Sequence, residues 1–247
     1  MKLVSLNIEV NKHHDLVLPF LVAEKPDIIC LQELLEEDLP RYKDALPGYQ
    51  CHFKKRGYVT DTVVLAETVG KYHGVAIFAR ELIAPKYTYY VGNEENLKIP
   101  YEKYIADETI SKNNVVVWAT VPDPKGGKPV TIATTHFTLT EGGESTPYQL
   151  QTLDALFAAL APLGEFALVG DMNAPRGNET FRRMAEKWKD NIPMGYETSL
   201  DQRLHRVPGL MRMVDCLFTT PTHIAKNVRL VDGLSDHMAI VADIHAA

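Results

Sequence analysis

The residues best suited to chemistry stand at the ends of short apolar runs. Phe166-Ala167-Leu168-Val169-Gly170 reads as a buried strand, and Asp171 and Asn173 follow it two residues apart. In extended backbone that spacing turns both side chains to the same side. Converging oxygen donors beyond a strand end suit a hard cation such as Mg²⁺. An Asp-x-Asn pair in isolation also caps turns and helices, so the rest of the chain has to decide between the two. Asn7, Glu33 and His136 end apolar runs in the same way, while Asp215, Asp236 and His237 stand just before such runs begin.

The elements that must position them follow from periodicity. Lys2 to Val10 alternates, with Val4, Leu6, Ile8 and Val10 on one face and Leu3, Ser5, Asn7 and Glu9 on the other. Asp15 to Lys25 reads as a helix that Pro26 ends, with Pro19 near its first turn. Asp27 to Leu31 is a second strand, delivering Gln32 and Glu33. Glu36 to Leu46 reads as a surface helix, Tyr49 to Leu65 as strands and a polar loop, and Gly74 to Ala79 as a buried strand.

Tyr87 to Tyr104 has little periodicity and reads as a long loop or hairpin. Val115 to Val121 and Val130 to Phe137 are strands joined through Pro124-Lys125-Gly126-Gly127. Thr146 opens a helix with a capping-box pattern and Pro147 first in it; Leu150, Leu153, Leu156, Phe157 and Leu160 form its apolar stripe. Asn178 caps another, packing through Phe181, Met184, Ala185 and Trp188. After a polar stretch from Asn191 to Gly209 come strands Met213 to Thr219, Ala225 to Val231 and Met238 to Ile244. No linker or internal repeat divides residues 1–247, which are expected to form one domain.

Composition sets the broad class. The chain has 247 residues, 45% hydrophobic and 23% charged, as in an ordinary globular protein with a sizeable core. No stretch approaches a membrane span, and Met1 to Leu6 reads as strand instead of a leader, so an intracellular protein is expected. Cys30, Cys51 and Cys216 lack CxxC spacing; Cys30 and Cys216 lie in apolar runs and are expected as buried thiols. The net charge of −6 is not that of a protein coating long duplex DNA. It is compatible with a phosphate-handling enzyme whose positive charge comes from a bound cation.

If the last strands run antiparallel to the first, all these strand-end residues meet at one rim. The segments Leu6-Asn7-Ile8, Ile29-Cys30-Leu31-Gln32-Glu33, Thr135-His136-Phe137, Gly170-Asp171-Met172-Asn173, Val214-Asp215 and Ser235-Asp236-His237 resemble, in order, the motifs of the endonuclease/exonuclease/phosphatase superfamily. Exonuclease III, pancreatic deoxyribonuclease, neutral sphingomyelinases and inositol polyphosphate 5-phosphatases belong to it. Each motif is weak alone, but together they run through almost the whole chain.

The resemblance implies an α/β fold, a four-layered α/β sandwich of two mixed β-sheets face to face flanked by helices. It implies Mg²⁺ (or Mn²⁺) held by Glu33 with Asn7 and with Asp236 directly or through water. Asp171 and Asn173 would orient the attacking water and the phosphate, and either Asp171 or His237 would take the proton from that water. His237 would lie against the phosphate, oriented by Asp215, and His136 would contact it from the other side and could protonate the leaving oxygen. The reaction would be in-line attack of water on phosphorus. His13, His14, His52, His73, His205, His223 and His245 match no motif and are expected to be solvated or structural. Arg176, Asn178 and Arg203 are weaker candidates for phosphate contact, since a helix cap and surface charge explain them as well.

Departures narrow the branch. His136 stands where apurinic-site endonucleases carry tyrosine, and resembles the deoxyribonuclease, sphingomyelinase and tyrosyl-DNA phosphodiesterase branches. Val214-Asp215-Cys216 differs from the Cys-Asp-Arg of inositol 5-phosphatases. Glu94, Glu95, Lys98, Glu102 and Lys103 make the Tyr87 to Tyr104 segment too polar to enter a membrane; its tyrosines could stack single-stranded bases or equally pack the hairpin onto the domain. The reading is a metal-dependent phosphodiesterase acting on nucleic acid. The alternatives are a hydrolase of a small or lipid phosphate ester and a silent binding scaffold; the scaffold is disfavoured because no expected ligand is replaced.

Overall fold

The computed structural model describes residues 1–59, 69–98 and 113–247. Its first sheet has the order β11-β12-β1-β2-β4-β3, from β1 (Lys2–Asn7), β2 (Ile28–Leu35), β3 (Gln50–Tyr58), β4 (Tyr72–Ala79), β11 (His223–Val231) and β12 (Ala239–Ala246). The second has the order β5-β6-β7-β8-β10-β9, from β5 (Ile83–Val91), β6 (Asn114–Val121), β7 (Val130–His136), β8 (Ala167–Asp171), β9 (Lys189–Asp190) and β10 (Asp215–Thr219). Each is mixed: β1 is parallel to β2 and antiparallel to β12, and β8 is parallel to β7 and antiparallel to β10.

Three apolar clusters separate four layers. Leu3, Ile28, Cys30, Val75 and Ile77 of the first sheet meet Val115, Val117, Ile132, Val169 and Leu217 of the second. On the outer face of the first sheet, α1 (His14–Glu24) and α2 (Leu39–Ala45) cover Val4, Leu6, Ile29 and Phe78 through Val17, Leu21 and Tyr42. On the far side, α3 (Pro147–Leu160) and α4 (Glu179–Lys187) cover Val116, Leu168 and Phe218 through Leu153, Leu156, Phe181 and Met184. The expected four-layered α/β sandwich is therefore present. β1 alternates as expected, but both its faces are buried, because the sheets are covered on both sides.

The caps match their sequence signals. Thr146 accepts from the Gln149 N–H and Asn178 from the Phe181 N–H. Cys30 and Cys216 are buried free thiols.

Elsewhere the structure corrects the sequence reading. Of the segment read as a long loop or hairpin, Tyr87 to Val91 belongs to the strand Ile83–Val91; it lies at a sheet edge, where Pro85 is tolerated and bulges blur its alternation. Ala185 is exposed, on the outer side of α4. β1 stops at Asn7, where Glu9 and Val10 take positive φ. β2 runs on to Leu35, beyond the expected Leu31. Tyr101, Tyr104, Glu102 and Lys103 lie outside the described residues. Among the described residues no helix is long and apolar enough to cross a membrane.

Candidate active site

Strand register alone brings the central residues together. His136 is paired with Asp171 across the β7–β8 ladder, and Asp171 with Asp215 across the β8–β10 ladder. In the other sheet Asn7 is paired with Gln32, so Glu33 lies beside it. The antiparallel β12 begins at the same rim and brings Asp236 and His237 with it.

Local backbone devices aim these side chains. Between Gln32 and Leu34 the β2–β4 register shifts by one residue, and Glu33 is the extra one, at φ 63°. A bulge re-aims its side chain where a regular pleat would not. Asn173 also takes positive φ, 49°. Such backbone costs about 1–3 kcal/mol per non-glycine residue and persists where the surroundings enforce it. Just before Asp171, Gly170 has φ 143°, and a Cβ there would lie 2.0 Å from the Thr135 carbonyl oxygen. Only glycine lets β8 approach β7 this closely.

The side chains form one network across the two sheets. Asn7 Nδ2 donates to Glu33 Oε1 and to Asp171 Oδ2, both at 3.1 Å. His237 Nδ1 lies 2.8 Å from Asp215 Oδ2, and its Nε2 lies 3.8 Å from Asp171 Oδ2. His136 Nε2 lies 3.4 Å from Asp171 Oδ2 and 3.9 Å from Glu33 Oε1. Asp171 Oδ1 accepts from the Asn173 N–H at 2.8 Å, and Asn173 Nδ2 donates to the Phe137 carbonyl at 3.1 Å. Asp236 is half-buried, held by Ser235 Oγ at 3.1 Å.

Electrostatics follow from this crowding. Burial pushes Glu33 up to about 7, helped by the charges of Asp236 and Asp171 and opposed by Asn7 and His237. Asp171 is pushed up to about 6 by burial, with His237 pulling down and Asp215 pushing up. Burial would lower His237, but Asp215, Asp171 and Asp236 hold it well above an ordinary histidine. His136 lies well below one, from burial and then from Arg56, His73 and His237. Four carboxylates in one partly desolvated rim are an excess of negative charge that a divalent cation would offset. Asp171, Asp215 and His237 place ligand atoms within 4.8 Å of one another, a grouping able to hold a metal ion. Asp215 and His237, however, already satisfy each other at 2.8 Å. Asn7, Glu33 and Asp236 offer oxygen donors alone, the set that suits a hard cation.

Several supporting residues carry no sequence signal of their own. Ser199 Oγ accepts from the Val214 and Asp215 N–H groups, both at 3.0 Å, and Leu200 bridges to His237. Both fall in the stretch read only as polar. Gln32, adjacent to Glu33, ties the sheets together through Thr134 Oγ1 at 3.0 Å. Arg56 donates to the backbone of His136 and Phe137. The weaker phosphate candidates point elsewhere: Arg176 is paired with Asp190 at 2.6 Å, Asn178 caps α4, and Arg203 is paired with Asp232 at 3.2 Å. Of the tyrosines offered for base stacking, Tyr90 is buried against Thr135 Oγ1, Tyr89 donates to the Lys55 carbonyl, and Tyr87 lies under Lys54. Tyr87 and Tyr89 thus meet β3, while Tyr90 packs on the other face of the second sheet against Phe137.

Solved structures share this architecture over the full chain. An endonuclease/exonuclease/phosphatase from Bacteroides vulgatus superposes with TM-score 0.72 at 19% identity, covering 100% of this chain and 98% of that one. The human Nocturnin catalytic domain with bound sulfate gives 0.71 at 17% identity, covering 100% and 93%. A mannosyl-6-phosphatase from Bacteroides thetaiotaomicron gives 0.70 at 14% identity, covering 99% of each. No curated protein matches the chain in sequence. At these identities the likeness is one of fold. The family model of endonucleases, exonucleases and phosphatases, in contrast, matches the sequence itself over residues 4–237, from the first strand to His237. The chain thus belongs to the Endonuclease/Exonuclease/phosphatase family.

Proposed function

We propose that the protein is a Mg²⁺- or Mn²⁺-dependent phosphodiesterase that hydrolyses nucleic-acid phosphodiester bonds by in-line attack of water. One observation carries the reading: a single rim joins His237, paired with Asp215 at 2.8 Å, to Asp171 and, through the Asn7 amide, to Glu33. Asn7, Glu33 and Asp236 would hold the cation, which when bound polarises the phosphate and offsets its developing charge. Asp171 and Asn173 orient the water. His237, held as a cation by its carboxylate neighbours, donates to the phosphate, which leaves Asp171 to take the proton. His136 stands on the leaving-group side; an arriving phosphate adds the opposite charge that favours its protonated form.

A second reading, hydrolysis of a small phosphate ester, has its own support. The net charge is −6, the described tyrosines are engaged within the fold, and a mannosyl-6-phosphatase shares the architecture. Incubation with Mg²⁺ or Mn²⁺ and single- or double-stranded DNA, RNA, sphingomyelin, inositol phosphates and sugar phosphates separates the two. Cleavage confined to a lipid or small ester refutes the nuclease reading. No cleavage together with tight binding of a partner would favour a scaffold.

A further inference from the structure

We propose that Arg56 is a positioning residue that sets His136 and Asn173 in register from the opposite sheet, an inference that rests on the catalytic reading of that rim. Arg56 lies on β3 in the first sheet, whereas His136 ends β7 and Asn173 follows β8 in the second. The β3–β4 register shifts between Lys55 and Gly57, so Arg56 is the unpaired residue of a bulge. The β2 bulge that aims Glu33 falls against the neighbouring step of β4, and the two meet at Gly74: Leu34 is paired with Gly74, and so is Lys55. Two bulges flanking one strand thus turn Glu33 and Arg56 out of the regular pleat.

The guanidinium lands on groups that have no other reason to be held by β3. Its Nε donates to the His136 carbonyl at 2.9 Å, and one Nη donates to the Phe137 carbonyl at 3.2 Å and to Asn114 Oδ1 at 3.1 Å. The Phe137 carbonyl is the one that also accepts from Asn173 Nδ2 at 3.1 Å. Asn114 in turn donates to Thr138 Oγ1 at 2.6 Å, so the clamp continues past the end of β7. One planar fork therefore fixes the peptide carrying His136 and the acceptor that orients Asn173. A lysine has the charge but not the span to meet three acceptors in fixed directions.

The test uses bis(4-nitrophenyl) phosphate with Mn²⁺ as a general probe. Arg56→Met and Arg56→Lys are each expected to lower kcat about 10–100-fold, as a displacement of about 1 Å does. KM is expected to change less than about threefold, because no substrate contact is removed. Mn²⁺ affinity should stay unchanged, and guanidinium ion should restore part of kcat to Arg56→Ala. In protein labelled with ¹⁵N at histidine and asparagine, the His136 ring and the Asn173 amide should both shift in Arg56→Lys. Full kcat in the folded lysine variant, or unmoved His136 and Asn173 signals, overturns the inference. Wild-type protein inert toward every phosphate ester would refute the reading of the rim, while the labelled signals still decide the role of Arg56.

Discussion

Two histidines flank the rim, and they differ in everything except burial. His136 and His237 are each 7% exposed, so desolvation alone would push both toward neutrality. His237 goes the other way because Asp215, Asp171 and Asp236 surround it. His136 goes further down because Arg56 and His73 stand near it. His73 itself is pushed down to about 3 by burial and Arg56. His237 Nδ1 has a carboxylate partner, whereas His136 Nδ1 is buried without a hydrogen-bond partner among the described residues. The fold thus makes one flank a fixed cation and the other a neutral ring held through its backbone. The choice of neighbouring strand, not of residue type, separates their chemistry.

The sharpest way to break that contrast is to remove the cationic flank. His237→Gln should lower kcat about 10³-fold, within the span of lost acid–base groups. Mn²⁺ affinity, read by calorimetry, should stay within about threefold. A comparable loss of both would make His237 a ligand and end its reading as a phosphate donor. A smaller effect, about 10²-fold, is expected of Asp215→Asn, which keeps the shape but removes the largest charge sustaining the imidazolium. The sign is fixed: with a lower folded pKa, His237 loses its proton at lower pH, so the alkaline limb of the rate profile moves down. An unmoved limb would show that Asp215 only orients the ring. His136→Ala should cost about 30-fold and leave that limb in place. Loss of the limb would mean that the two flanks act as one coupled pair.

How much of this was legible in sequence depends on what each residue owes to its neighbours in the chain. Asp171 and Asn173 follow an unbroken apolar run, and Ser235-Asp236-His237 precedes one, so their places at strand ends could be read off directly. Pairing across ladders then did the rest, because β8 and β10 must run antiparallel for Asp171 and Asp215 to meet. Glu33 was read as standing at a strand end, but it lies inside β2 on a bulge that has no local signature: the run through Leu34 and Leu35 stays apolar, and β2 continues past it. β5 was left between loop and hairpin, and its start at Ile83 was unread, because an edge strand needs only one good face. Arg56 and Ser199 were lost for a deeper reason. Their partners lie 80 residues and 16 residues away, at His136 and Asp215, and no spacing within either segment announces them.

The smallest effect concerns the loop behind the cationic flank and leaves its chemistry alone. Asp201 is fully buried, and its carboxylate accepts from the Arg203 N–H at 2.8 Å, the Leu204 N–H at 3.0 Å and the Gly233 N–H. Its own N–H donates to the Asp236 carbonyl at 2.8 Å, next to the Leu200–His237 bridge. Burial would raise this carboxyl, but the three backbone donors and Arg203 hold it below the usual carboxylate range. A depressed folded pKa gives stability that is present above the unfolded value, about 3.9, and is lost as pH falls through the folded one. Asp201→Asn should therefore cost about 1–3 kcal/mol at neutral pH, measured by urea unfolding. The gap between variant and wild type should narrow as pH falls below about 4, where the unfolded chain takes up a proton that the native carboxylate still excludes. At 25 °C the folded variant should keep kcat within about threefold. If kcat instead fell as far as in Asp215→Asn, the 199–201 segment would be setting the imidazolium itself, and the cationic flank would extend one layer deeper than its carboxylate neighbours.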